Sequence, residues 1–131
     1  MKTSNEYIRS LLLAQPNVIE IVVARIYSTM LPKGATLPAI TFWSDGGGWL
    51  GDADAFPFQD QSIIIRCWAE TEAAAYTLFG TLFDDLTGMP GHTISGERII
   101  ARVQGGSEMT GEDNDTRARW VQCAFQIGFS T

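Results

Sequence analysis

Positive charge is scarce in this sequence: nine Lys and Arg stand against fifteen Asp and Glu, for a net charge of −6. A groove that neutralises nucleic-acid phosphates needs the opposite balance, so binding of DNA or RNA is disfavoured. Histidine is scarcer still. His92 is the single one, in "MPGHTISG", and a Ser-His-Asp arrangement would have to bring Ser95, Ser107 or Ser10 to it without any GxSxG elbow. The two cysteines, Cys67 and Cys123, lie far apart with no CxxC, which argues against zinc and for buried free thiols in a reducing compartment. No apolar run approaches the roughly 20 residues of a membrane span; Ile19 to Ala24 and Ile63 to Ile65 are typical. No membrane partner is expected. The opening "MKTSNEYIRSLLLAQ" has Glu6 and Arg9 among its apolar residues, unlike a secretory signal, and points to the cytoplasm.

Motifs for chemistry are missing as well. "DADAFPFQD" places Asp52, Asp54 and Asp60 with a calcium-loop rhythm, but glycine and the final acid are absent where an EF-hand needs them. "SDGGGWLG" is glycine-rich yet lacks the P-loop lysine and the strand-to-helix setting of a phosphate cradle. "GEDNDT" at 111–116 reads as a solvated hairpin tip. Asp84 and Asp85 are neighbours on a helix and diverge by about 100°, so they do not flank one substrate. The expectation is a chain that is not an enzyme and that has no cofactor or metal.

What is present is ordinary globular material, 45% hydrophobic and 18% charged over 131 residues, enough for one domain spanning 1–131 with one core. Thr3 and Glu6 match a capping box ahead of Tyr7, Ile8, Leu11 and Leu12, predicting a helix over 4–14 that Pro16 ends. Asn17 is placed to cap a second short turn through "VIEIVVA", read as a short helix, with a strand as the alternative that its β-branched run leaves open. "RIYSTMLPKGATLPAITFW" reads as an extended segment, a Pro/Gly loop, and a strand from Ala39 to Ser44 in which Ile40 and Phe42 alternate with Thr41 and Trp43. The next stretch, "SDGGGWLGDADAFPFQDQ", resembles a long hairpin loop.

Asp60 to Ala69 is then a strand, with Ile63, Ile65 and Cys67 on one side and Ile64, Arg66 and Trp68 on the other. Thr71 caps the following helix, whose apolar stripe is Ala75, Leu78, Phe79, Leu82, Phe83 and Leu86. "RIIARVQ" and "RARWVQCAFQIGFS" are two more strands, joined through the acidic turn "GGSEMTGEDNDT". The order predicts an α+β domain with about four strands in a mostly antiparallel sheet and helices packed on one face. The other face collects Ile64, Arg66, Trp68, Ile100, Arg102, Trp120, Gln122 and Gln126. Trp and Arg are enriched at interface hot spots, so Arg66, Trp68, Arg102, Trp120 and Gln122 are candidate contact residues.

Three segments, "ARIYSTMLPKGATLPAITF" at 24–42, "IIIRCWAETEAAAYTLFGTL" at 63–82 and the closing "ARWVQCAFQIGFS", resemble the tail completion, or tail terminator, proteins of long-tailed bacteriophages. The resemblance implies a non-catalytic virion protein, made in the host cytoplasm. It implies a homo-oligomeric ring, a hexamer, at the head-proximal end of the tail, with the tail tube protein on one side and a head connector or neck protein on the other. DNA would pass through without specific binding. Another neck or head-completion protein, and a small-molecule-binding α+β domain, are the alternatives. In the terminator reading the acidic loops, carrying Trp49, Asp52 and Asp54 in one and Glu112 and Asp113 in the other, are candidates to reach neighbouring subunits or the tube, ordering on contact.

Overall fold

In the computed structural model the described residues are 4–48, 58–87, 92–94, 97–103, 109–113 and 117–130. Helices α1 (Ser4–Leu13) and α2 (Pro16–Val22) lead into strands β1 (Ile26–Ser28), β2 (Ala39–Gly48) and β3 (Phe58–Ala69). Helix α3 (Glu72–Thr87) follows, then β4 (His92–Ile94), β5 (Glu97–Val103), β6 (Met109–Glu112) and β7 (Arg119–Ser130). The architecture is α+β, as the pattern of elements predicts. The expected capping box falls partly on Thr3, outside the described residues.

The four long strands foreseen from alternation are β2, β3, β5 and β7, but they belong to a seven-stranded sheet ordered β1-β2-β3-β7-β5-β4, with β6 also on β7. The additional strands are three or four residues long, too short to show a period of two. Every pairing is antiparallel except β1 with β2, where Ile26 stands opposite Ile40 and Ser28 opposite Phe42. Two loop readings need correction. The glycine run Gly46 to Gly48 is not loop: β2 continues to Gly48, which pairs with Asp60 across a register shift after Ser44. Likewise Met109–Glu112, read as turn, is strand β6 along β7. Glycine contributes no side-chain signal, but its backbone still pairs when a partner strand is supplied.

One face of the sheet carries Ile40, Phe42, Ile63, Ile65, Cys67, Val121, Cys123 and Phe125, which form a single buried cluster with residues of all three helices. Leu11 and Leu12 come from α1, Val18 and Val22 from α2, Leu78 and Leu82 from α3. The short α2 is a helix despite its β-branched run. Pro16, not Asn17, starts it, with Gln15 at the N-cap position; a proline is well placed at the first helical position because it has no N–H to leave unpaired. Asn17 instead donates to Asp85 Oδ1 on α3 at 3.0 Å. Phe83, counted in the buried stripe of α3, lies at its edge, 36% exposed with its ring 6.1 Å from that of Phe79.

The strand-to-helix changeover at 69–72 is closed by Thr71, whose hydroxyl accepts from the Ala74 N–H at 3.1 Å. Thr71→Ala should therefore cost about 1 kcal/mol, within the roughly 0.5–2 kcal/mol range for such caps. Thermal unfolding followed by circular dichroism measures it; an unchanged midpoint would mean the cap carries no stability. Cys67 and Cys123 are buried free thiols, as expected. Burial, with Cys123 adding to it, pushes the Cys67 thiol far up, so it stays protonated and unreactive.

Candidate functional site

The face opposite the helices is built by register. Thr41 of β2 pairs with Arg66 of β3, and Arg66 with Gln122 of β7; Trp43 pairs with Ile64, and Trp68 with Trp120. Period-two alternation then puts Thr41, Trp43, Arg66, Trp68, Trp120 and Gln122 on one side. Arg66 is the centre. Its Cζ lies 3.8 Å from the Trp120 ring centroid, 5.2 Å from that of Trp43 and 5.4 Å from that of Trp68, each within cation–π range. Its Nε donates to Gln122 Oε1 at 2.8 Å, with Nη2 donating to the same oxygen. Gln122 Nε2 in turn meets Met109 Sδ at 3.8 Å. Burial lowers the Arg66 pKa from its ordinary value, but a guanidinium remains charged in proteins.

Trp68 is the exception among the proposed contact residues. It is 8% exposed, and its Nε1–H donates to the Thr41 hydroxyl at 2.9 Å, a group itself buried. The sequence alternation puts it on the correct face but cannot show that something covers it. The chain between β1 and β2 lies on the same face and lines a groove with it. Adjacent parallel strands require a crossover, and residues 29–38 make it. That crossover, from Thr29 to Leu37, and the sheet residues Thr41, Trp43, Arg66 and Trp68 line a common groove of about 980 Å³, with Asp113 and Ala118 at its turn end. The Thr29 N–H donates to Phe42 O at 2.7 Å, tethering the loop's start.

Trp120 keeps its place because of Gly111. The two residues are directly paired between β6 and β7, and a Cβ at position 111 would collide with the indole. Glu112, read as a loop contact, forms an exposed ion pair with Arg119 at 3.3 Å, a pair worth at most about 1 kcal/mol. Asp113 closes the turn by backbone bonds, its N–H donating to Ala118 O and its carbonyl accepting from Arg117, both at 2.8 Å. Arg102 stands in β5 opposite Gln126, further along β7 from this cluster. Trp49, Asp52 and Asp54 lie outside the described residues.

Thr41, Trp43 and Gly111 are parts of the site that the sequence reading did not name as site residues. Trp43 had a signal, its alternation with Phe42; the role of Gly111 depends on a cross-strand register that spacing does not contain. Among the described residues no group of three or more His, Cys, Asp or Glu could hold a metal ion, and no helix is long and apolar enough to cross a membrane.

No family model and no curated protein matches this sequence. Its fold is shared with a solved virion chain. That chain belongs to the "Virion of native gene transfer agent (GTA) particle"; the two are 15% identical, with a TM-score of 0.63 over 92% of this chain and 90% of the other. The similarity is one of fold along nearly the whole length. At that identity it transfers no residue roles, so the virion chain does not identify which groups of the Arg66 cluster make contacts.

Proposed function

We propose that this chain is a non-catalytic structural protein of a phage-like virion, and within it a tail terminator. The observation that carries the reading is the similarity of fold to a chain of the gene transfer agent virion over 92% of this chain. The tail-terminator resemblance of the three segments quoted above supports the finer role. In this reading copies of the chain close a ring, a hexamer, at the head-proximal end of the tail tube, and join it to the head connector. A heterologous contact closes only when its rotation divides the circle, so ring size follows from interface geometry. Tube growth stops because the ring offers no surface equivalent to the one it binds. The net charge of −6 suits a passage along which DNA moves without pairing to basic side chains.

Light scattering across a wide concentration range, with negative-stain microscopy of the same sample and of the sample mixed with tail tubes, tests it. Closed rings with a central hole, free or at tube ends, are the expected result and give the subunit number. A protein that remains monomeric with tubes present, and binds a head connector instead, would overturn the terminator role in favour of another neck or head-completion protein.

A further inference from the structure

The groove over the outer face holds a cation, Arg66, that is paired with no carboxylate among the described residues. Arg66 gives Nε and Nη2 to a neutral acceptor, Gln122 Oε1, while Nη1 has no acceptor among the described residues. The ion pair found among them joins Arg119 to Glu112, not Arg66 to a carboxylate. A half-buried guanidinium with unspent donors has lost hydration without gaining a counter-charge. A carboxylate would offset that loss, and Arg's planar fork is shaped to take one through two parallel hydrogen bonds.

The rest of the lining says what that carboxylate is attached to. Lys33 puts a second positive charge on the crossover side of the groove, in a chain whose overall balance is acidic. Around the two cations the walls are apolar: Trp43 and Trp68 from the sheet, Met30, Leu31 and Pro32 from the crossover. Met30 is 73% exposed, an apolar side chain at the rim without cover. The volume, about 980 Å³, is at the upper end of the range of about 300–1,000 Å³ for ligand clefts and far exceeds one carboxylate. Asp113 also lines the groove, at its turn end.

We propose that this groove binds an extended acidic segment of a partner protein, with one carboxylate seated on Arg66 and apolar neighbours against Trp43 and the crossover. The inference does not depend on the tail-terminator role, and it uses neither the ring nor its geometry.

The test uses the full chain and a labelled hexapeptide alternating glutamate with valine, beside the same peptide with glutamine for glutamate. Anisotropy gives the affinity, and tryptophan emission reports on the cluster. The glutamate peptide is expected to bind about tenfold or more tightly than the glutamine peptide, to perturb tryptophan emission, and to weaken with added salt. Arg66→Gln should remove the preference between the two peptides, and Lys33→Glu, on an exposed loop, should weaken the glutamate peptide with the fold intact. Equal affinity for the two peptides on the unmodified protein overturns the proposal whether or not Arg66→Gln folds. So does complete displacement by glutarate at the concentration of the peptide, which would make the groove a small-acid pocket.

Discussion

Trp68→Ala is expected to lower the stability of the isolated monomer by about 3–5 kcal/mol, the range for removing a buried aromatic. Alternation alone would put Trp68 on a partner-facing surface, where truncation weakens assembly and spares the fold. Its burial reverses that expectation: the indole is 8% exposed and bonded to a buried hydroxyl. Truncation would leave a cavity beneath the crossover and strip Thr41 of its partner. Two walls of the guanidinium cluster would remain, Trp43 and Trp120, but without the indole that pairs with Trp120 across β3 and β7. Trp68→Phe separates the contributions, since the ring still fills most of the space and chiefly the hydrogen bond is lost, about 1–3 kcal/mol. Urea unfolding of dilute protein, followed by far-ultraviolet circular dichroism, reads both. A Trp68→Ala midpoint equal to that of the unmodified chain would mean that Trp68 is not packed as described.

The same comparison shows where sequence reasoning reaches and where it stops. Long elements announce themselves: β3 is readable from Asp60 to Ala69, where Ile63, Ile65 and Cys67 oppose Ile64, Arg66 and Trp68, and sixteen residues of α3 follow a visible cap. The assignment of Arg66, Trp120 and Gln122 to one face required only that alternation, because side chains on a strand point to opposite sides in turn. Their convergence required more. Arg66 faces Gln122 because β3 and β7 are neighbours in a particular register, and neither neighbour order nor register is written in local periodicity. The groove was less legible still. It exists because β1 runs parallel to β2, which turns a Pro/Gly loop into a crossover lying against the sheet, and three residues of strand leave no pattern to reveal the direction. Gly111 was invisible for a related reason: its importance lies in what a side chain there would strike.

Phe42→Ala should cost about as much as Trp68→Ala, about 3–5 kcal/mol, with a different functional signature. Phe42 is fully buried on the helix side of β2, in one cluster with Leu11, Leu78 and Ile65. Against a typical total of about 5–15 kcal/mol, a loss of this size removes a large part of the margin. At an m-value of about 2 kcal/mol/M in urea, the midpoint falls by roughly 2 M. The groove, however, uses only the backbone of Phe42, whose carbonyl accepts from Thr29, and alanine retains that carbonyl. Phe42→Ala, measured at low temperature where the chain is still folded, should therefore bind the acidic peptide as the unmodified protein does. Trp68→Ala under the same conditions should bind it more weakly, having lost a groove wall. Equal losses of peptide affinity in the two variants would show that the sheet transmits the core defect to its outer face, and that the two faces are not energetically separate.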